Sequence, residues 1–136
     1  MVFSLSLQTN QHIMNLSHDR IQQELFMYSW NRYPQSRRCM WHTANEFPIQ
    51  KGMSRKEHMI ILSQRKAIGV LPGVTDLVMY QRGVLYMFDI KVGNDCLSQD
   101  QLSFIQANIE QGGQFFEVNT LDQGRKIIDE IFTFDK

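Results

Sequence analysis

The stretch that most constrains this chain is a pair of apolar runs joined by a glycine turn. Leu77-Val78-Met79-Tyr80 is followed by Gln81-Arg82-Gly83 and then by a second run from Val84 to Val92. Such a pattern predicts two antiparallel strands closed by a tight hairpin. A turn centred on Arg82 pairs residues whose numbers sum to about 164, which sets Asp76 opposite residue 88, within one position of Asp89. Asp89 and Lys91 are two apart in the second strand. Their side chains therefore share one face, while Ile90 points into the core.

The flanking segments read as helices and one further strand. Ser17 is positioned to cap a helix over 18–32, with Asp19 in its first turn, and Tyr33-Pro34 stops it. Its stripe is Ile21, Leu25 and Tyr28, with Phe26 and Trp30 beside it; Trp30 and Trp41 are expected in the core or an interface. A short strand is expected over 39–42, a basic loop over 50–56 and a second helix over 58–68. After the hairpin, Ser98 and Gln101 have capping-box spacing, and Leu97 and Leu102 are placed as a hydrophobic staple. The helix they open should bury Leu102, Ile105 and Ile109 and end at Gly112-Gly113. Residues 114–118 form a strand, and a last helix from Asn119 or Thr120 should bury Ile127, Ile128 and Ile131. The division expected is an N-terminal arm or strand over 1–16 and a single domain over 17–136. An antiparallel hairpin followed by a helical crossover to another strand implies an α/β fold with a mixed sheet.

Fourteen basic and fourteen acidic residues cancel, but not evenly. From Arg32 to Lys66 there are eight basic residues and two acidic ones, a net +6, and the other 101 residues carry −6. Clustered Lys and Arg of this kind suit a phosphate backbone. His42, Asn45, Lys51, Arg55 and Lys66 are the candidate DNA contacts. No apolar run approaches the roughly 20 residues of a membrane span. Cys39 and Cys96, with no CxxC spacing, fit a reducing compartment. The histidines His18, His42 and His58 are too scattered in sequence to suggest a zinc site.

Asp76, Asp89 and Lys91 at neighbouring strand ends are a costly grouping beside apolar Val78, Phe88 and Ile90 unless something binds there. Cross-strand neighbours lie about 5 Å apart, so the two carboxylates can share one divalent ion. With the carbonyl of Ile90 they would hold Mg²⁺ or Mn²⁺, which suits phosphodiester hydrolysis. Lys91 would orient or help deprotonate the attacking water, and Gln101 would position lysine, water or phosphate. An Asp-x-Lys pair on a strand is also a common solvated motif, so a DNA-binding or assembly module without catalysis is the competing reading. An RNA nuclease would share the same active-site logic.

The ordered set Gly69-Val70-Leu71-Pro72-Gly73-Val74-Thr75-Asp76-Leu77, Tyr86-Met87-Phe88-Asp89-Ile90-Lys91 and Leu97-Ser98-Gln99-Asp100-Gln101 resembles the virus-type replication-repair nuclease (VRR-NUC) domain of the PD-(D/E)XK superfamily. Pro34, Asn45, Gly113, Val118 and the helix around Ile127 also fit that layout, so the resemblance runs over about 18–132. It implies a restriction-endonuclease-like core, a mixed sheet with a central hairpin flanked by helices, and a metal-dependent DNA endonuclease. Asp76, Asp89 and Lys91 match its catalytic triad and Gln101 its helix glutamine. The chain departs from the family at Thr75, where proline is usual, and at Asp89, where glutamate is usual. The family's first helix supplies a further acid facing the metal. Glu24 is chosen for it, as a catalytic and metal-binding residue, with Asp19 the competitor. Stand-alone members resemble Holliday-junction resolvases, so the resemblance also implies a homodimer acting on branched or four-way DNA in the cytoplasm of a bacterial or phage-infected cell.

Overall fold

A computed structural model describes residues 16–43 and 51–133. The expected N-terminal arm over 1–16, except its last residue, and the candidate DNA contact Asn45 lie outside the described residues. The first helix, α1, spans His18–Arg32, and the Ser17 hydroxyl caps it by accepting from the Arg20 amide. A single 3₁₀ turn at Pro34–Ser36 leads to a two-residue strand, β1, Met40–Trp41. Helix α2 covers Arg55–Ala67, strand β2 Leu77–Gln81 and strand β3 Val84–Ile90. Helix α3 (Gln99–Glu110), strand β4 (Gln114–Val118) and helix α4 (Leu121–Thr133) complete the chain.

The sheet order is β1-β2-β3-β4, with β1–β2 and β2–β3 antiparallel and β3–β4 parallel. This is the mixed sheet with a central hairpin that the sequence implies. Arg82 and Gly83 both take positive φ, 48° and 82°, the two-residue turn that matches strand twist. Leu77 pairs with Phe88 and Gln81 with Val84. The paired numbers thus sum to 165, one more than the turn alone suggests, and extending that register sets Asp76 opposite Asp89.

Strand alternation sorts the core into two layers. Leu77, Met79, Phe88, Ile90 and Val118 pack with Ile21 and Leu25 of α1 and Ile128 and Ile131 of α4. On the other face, Val78 and Met87 pack with Ile105 of α3. Three expectations change. Leu102 and Ile109 are 45% exposed, and Phe104 rather than either of them joins Ile105 against the sheet. Ile127 is only partly buried, because Leu121, Gly124 and Phe132 share the inner face of α4. Helix α2 begins three residues before the expected start because Ser54 accepts from the Glu57 amide and turns part of the predicted basic loop into the first turn. No residue of α2 is buried, so its sequence carries no core-facing periodicity that would mark its start. Trp30 is half-buried under the Arg37 guanidinium, 5.4 Å from the ring centroid, whereas Trp41 is 46% exposed. Among the described residues, no helix is long and apolar enough to cross a membrane.

Helices α1 and α4 are tied by a carboxylate. Asp129 Oδ1 accepts from the Tyr28 hydroxyl at 2.6 Å and from the Tyr33 hydroxyl at 2.5 Å, and the Tyr33 ring stacks on Phe132 at 4.2 Å. Burial favours the neutral acid, but the two phenols and the Arg32 charge outweigh it and hold Asp129 below its ordinary value. Burial and the Asp129 carboxylate push the Tyr33 phenol up to about 12. A lowered native-state carboxyl pKa contributes stability that is present above the unfolded value and lost as pH falls through the native one. Asp129→Asn should therefore cost about 1 kcal/mol at pH 7. In urea unfolding series, the gap from wild type should close below about pH 4.

Candidate active site

The site forms where β2 begins, β3 ends and α3 starts. Gly73 brings the approach to β2 against α3: it has φ +78°, and a Cβ there would overlap the Asp100 carbonyl and the Gln101 nitrogen. Thr75, the departure from the usual proline, is fully buried and donates its hydroxyl to the Leu77 carbonyl at 3.2 Å. Asp76 follows. Its backbone N–H donates to Asp89 Oδ1 at 3.2 Å, and its Oδ2 accepts from the Ile90 N–H at 2.8 Å. The two carboxylates are thus held by each other's strands, as the register requires.

Asp89 has no solvent exposure. Lys91 Nζ lies 2.9 Å from its Oδ2, and the Lys91 backbone is held because its N–H donates to the Val118 carbonyl and its carbonyl accepts from Asn119 Nδ2. Gln101 joins the group from α3. Its Nε2 donates to both Asp89 oxygens at 3.2 and 3.3 Å, and its Oε1 accepts from Lys91 Nζ at 3.3 Å. The same Oε1 accepts from the Ser98 N–H at 2.9 Å while Ser98 Oγ accepts from the Gln101 N–H. The expected capping box is therefore formed, and it aims the glutamine amide at the carboxylate. Capping and site-positioning are one arrangement rather than alternatives. Burial and the Asp76 charge raise the Asp89 carboxyl above its ordinary value despite the opposing hydrogen bond and charge of Lys91.

Two histidines reach Asp76; the sequence offers His42 only as a DNA contact and gives His18 no role. His18, the first residue of α1, places Nε2 2.9 Å from Asp76 Oδ2 and Nδ1 3.3 Å from Asp19 Oδ1. Burial disfavours the imidazolium, yet Asp76 and Asp19 outweigh it and raise the His18 pKa. His42 Nδ1 donates to the Asp76 carbonyl at 2.5 Å. Their separations from Asp76, 58 and 34 residues, leave no local signature; the usable signal is the Ser17 cap, which fixes where α1 starts. Glu24 lies elsewhere on α1. Its carboxylate pairs with Arg20 at 2.7 Å and stands 3.9 Å from Arg125. Lys51, Arg55 and Lys66 are exposed, the last two on α2.

Asp76, Asp89 and the Ile90 carbonyl are hard oxygen donors, and a cation between the two carboxylates would offset both the burial and the Asp76 charge that raise Asp89. The donor set fits a hard divalent ion that keeps several waters. Among the described residues no group of three or more His, Cys, Asp or Glu side chains gathers in a metal-holding arrangement, so the protein would supply two carboxylates and one backbone carbonyl, and water the rest.

The fold is that of a solved VRR_NUC domain protein. The two are 16% identical with a TM-score of 0.61, over 85% of this chain and 88% of that one. The mixed sheet flanked by helices is accordingly consistent with a restriction-endonuclease-like α/β core. No family model matches the sequence, and no curated protein does.

Proposed function

We propose that this protein is a divalent-metal-dependent endonuclease that hydrolyses DNA phosphodiester bonds, selecting branched or four-way DNA in replication, repair or recombination. One observation carries the reading: a fully buried aspartate is met at once by a second aspartate's strand, a lysine amine and a helix-capping glutamine. Such a grouping of opposed charges at a sheet end disfavours stability and suits chemistry on a charged substrate. Asp76, Asp89 and the Ile90 carbonyl would hold Mg²⁺ or Mn²⁺, which supplies a Lewis acid for the phosphate and a more acidic water. Lys91 orients the nucleophilic water and offsets charge on the phosphate, and Gln101 holds the lysine amine and the Asp89 carboxylate in one plane of contact.

The basic segment supplies backbone affinity. Arg55 and Lys66 are eleven residues apart on α2, close to three turns, and so share a helix face. With Lys51, His42 and Asn45 they are the DNA contacts of this reading. A homodimer would present two such sites with matched spacing to a junction, and the reducing cytoplasm of a bacterial or phage-infected cell suits the two thiols.

A cleavage panel tests this directly: linear, flapped, splayed and four-way DNA with Mg²⁺ or Mn²⁺, alongside light scattering. The expected result is metal-dependent cutting that favours branched substrates, by a protein of dimer mass. Retained DNA binding with no cleavage of any substrate would favour the non-catalytic module instead.

A further inference from the structure

Asp76 is restrained more closely than a metal-binding carboxylate needs to be by its own strand. Its Oδ2 already accepts from the Ile90 N–H at 2.8 Å, and His18 Nε2 lies 2.9 Å from the same oxygen. Two donors on one oxygen fix the carboxylate's rotation about its χ angles. They leave Oδ1 as the oxygen without a donor among the described residues. The His18 Nδ1 lies 3.3 Å from Oδ1 of the fully exposed Asp19 side chain. His18 also sits at a fixed place, because the Ser17 cap sets the first turn of α1.

Resting on the metal-dependent reading above, we infer that His18 is a positioning residue of the metal site, which donates its Nε2–H to Asp76 Oδ2 so that Asp76 binds the cation through Oδ1 alone. Asp19 is then the α1 acid connected to the site, acting through the imidazole, while Glu24 serves Arg20 and Arg125. Partners of this kind set the orientation and basicity of a ligating carboxylate, and their loss typically weakens metal affinity 10–100-fold. His18 is an added holder rather than a fold element: its side chain is 35% exposed, so removing it leaves the apolar core unchanged.

The test is Mn²⁺ affinity, read by calorimetry or by the resonance signal of free Mn²⁺, in wild type, His18→Ala, His18→Gln and Asp89→Ala, with no DNA present. Wild type should bind and Asp89→Ala should not. His18→Ala should bind about 10–100-fold more weakly while remaining folded. His18→Gln should regain most of that loss, because a glutamine amide N–H reaches nearly the same point as imidazole Nε2. Mn²⁺ binding by His18→Ala within twofold of wild type would overturn the inference. So would a glutamine variant as weak as the alanine one, which would make the imidazole more than a donor. Absence of Asp89-dependent Mn²⁺ binding in the wild type would remove the metal reading itself, and this inference with it.

Discussion

Replacing Lys91 by methionine should slow cleavage roughly a thousandfold and also destabilise the metal-free protein, a pair of effects with one cause. On the proposed reading the rate loss follows from removing the cation and donor that would act on the phosphate, each of which is typically worth about 10²–10⁴-fold. The stability loss follows from burial. Asp89 has no solvent exposure, and Lys91 Nζ at 2.9 Å is its cationic partner. Removing one partner of a buried pair costs about 3–5 kcal/mol because the other charge is left uncompensated. The Lys91 side chain is 13% exposed, so the lower end of that range is expected. Part of the loss should return when Mg²⁺ is added, since a cation that binds the native site stabilises it by mass action. Thermal unfolding with and without Mg²⁺, beside a cleavage time course, measures both effects. A methionine variant as stable as wild type in metal-free buffer would mean that Asp89 is not carried as a charge.

Gly73→Ala should be the most damaging single methyl group that can be added near the site. The position needs glycine twice over. Its φ of +78° is one that side-chain-bearing residues rarely adopt, and the added Cβ would meet the rigid backbone of Asp100 and Gln101 rather than a movable side chain. Left-handed strain costs about 1–2 kcal/mol, and overpacking against an immovable neighbour adds about 1–3 kcal/mol. A loss of ~3 kcal/mol is expected in urea unfolding. The relief open to the chain is to push α3 away, which moves Gln101 off Asp89. Cleavage should therefore fall further than the unfolded fraction accounts for. By contrast, a Cβ at Gly83, in the hairpin turn, meets nothing within 4 Å, so Gly83→Ala is limited to the strain of its positive φ.

How much of this was legible in the sequence depended on whether the information was local. The hairpin was, because Arg82-Gly83 declares its own turn and the flanking runs alternate. Its register came within one residue, and the remaining step was decided by which pair closes the loop, Gln81 with Val84. The start of α3 was legible for the same reason, since Ser98 and Gln101 satisfy each other across three residues. What the spacing did not reveal was that the Gln101 amide, once its oxygen is committed to the cap, has its nitrogen directed at Asp89. Helix α2 was placed three residues short because nothing on it is buried. Leu102 and Ile109 lie on the α3 stripe yet stay half in water, because Ile105 and Phe104 are the residues that α3 turns to the sheet. The approach of His18 and His42 to Asp76 has no local signature beyond the Ser17 cap, because they become neighbours only through the folded positions of α1 and β1. Glu24 shows the converse, a residue chosen by resemblance whose carboxylate is engaged with Arg20 and Arg125.

The central claim is that the Asp76–Asp89 pair is a metal site that drives phosphodiester hydrolysis. The most direct measurement is the rate at which wild type and Asp89→Ala cut one branched DNA substrate in Mg²⁺, with EDTA as the control. Wild type should cut in Mg²⁺, and neither wild type in EDTA nor a folded Asp89→Ala protein should cut. Cutting by Asp89→Ala at the wild-type rate would contradict the claim.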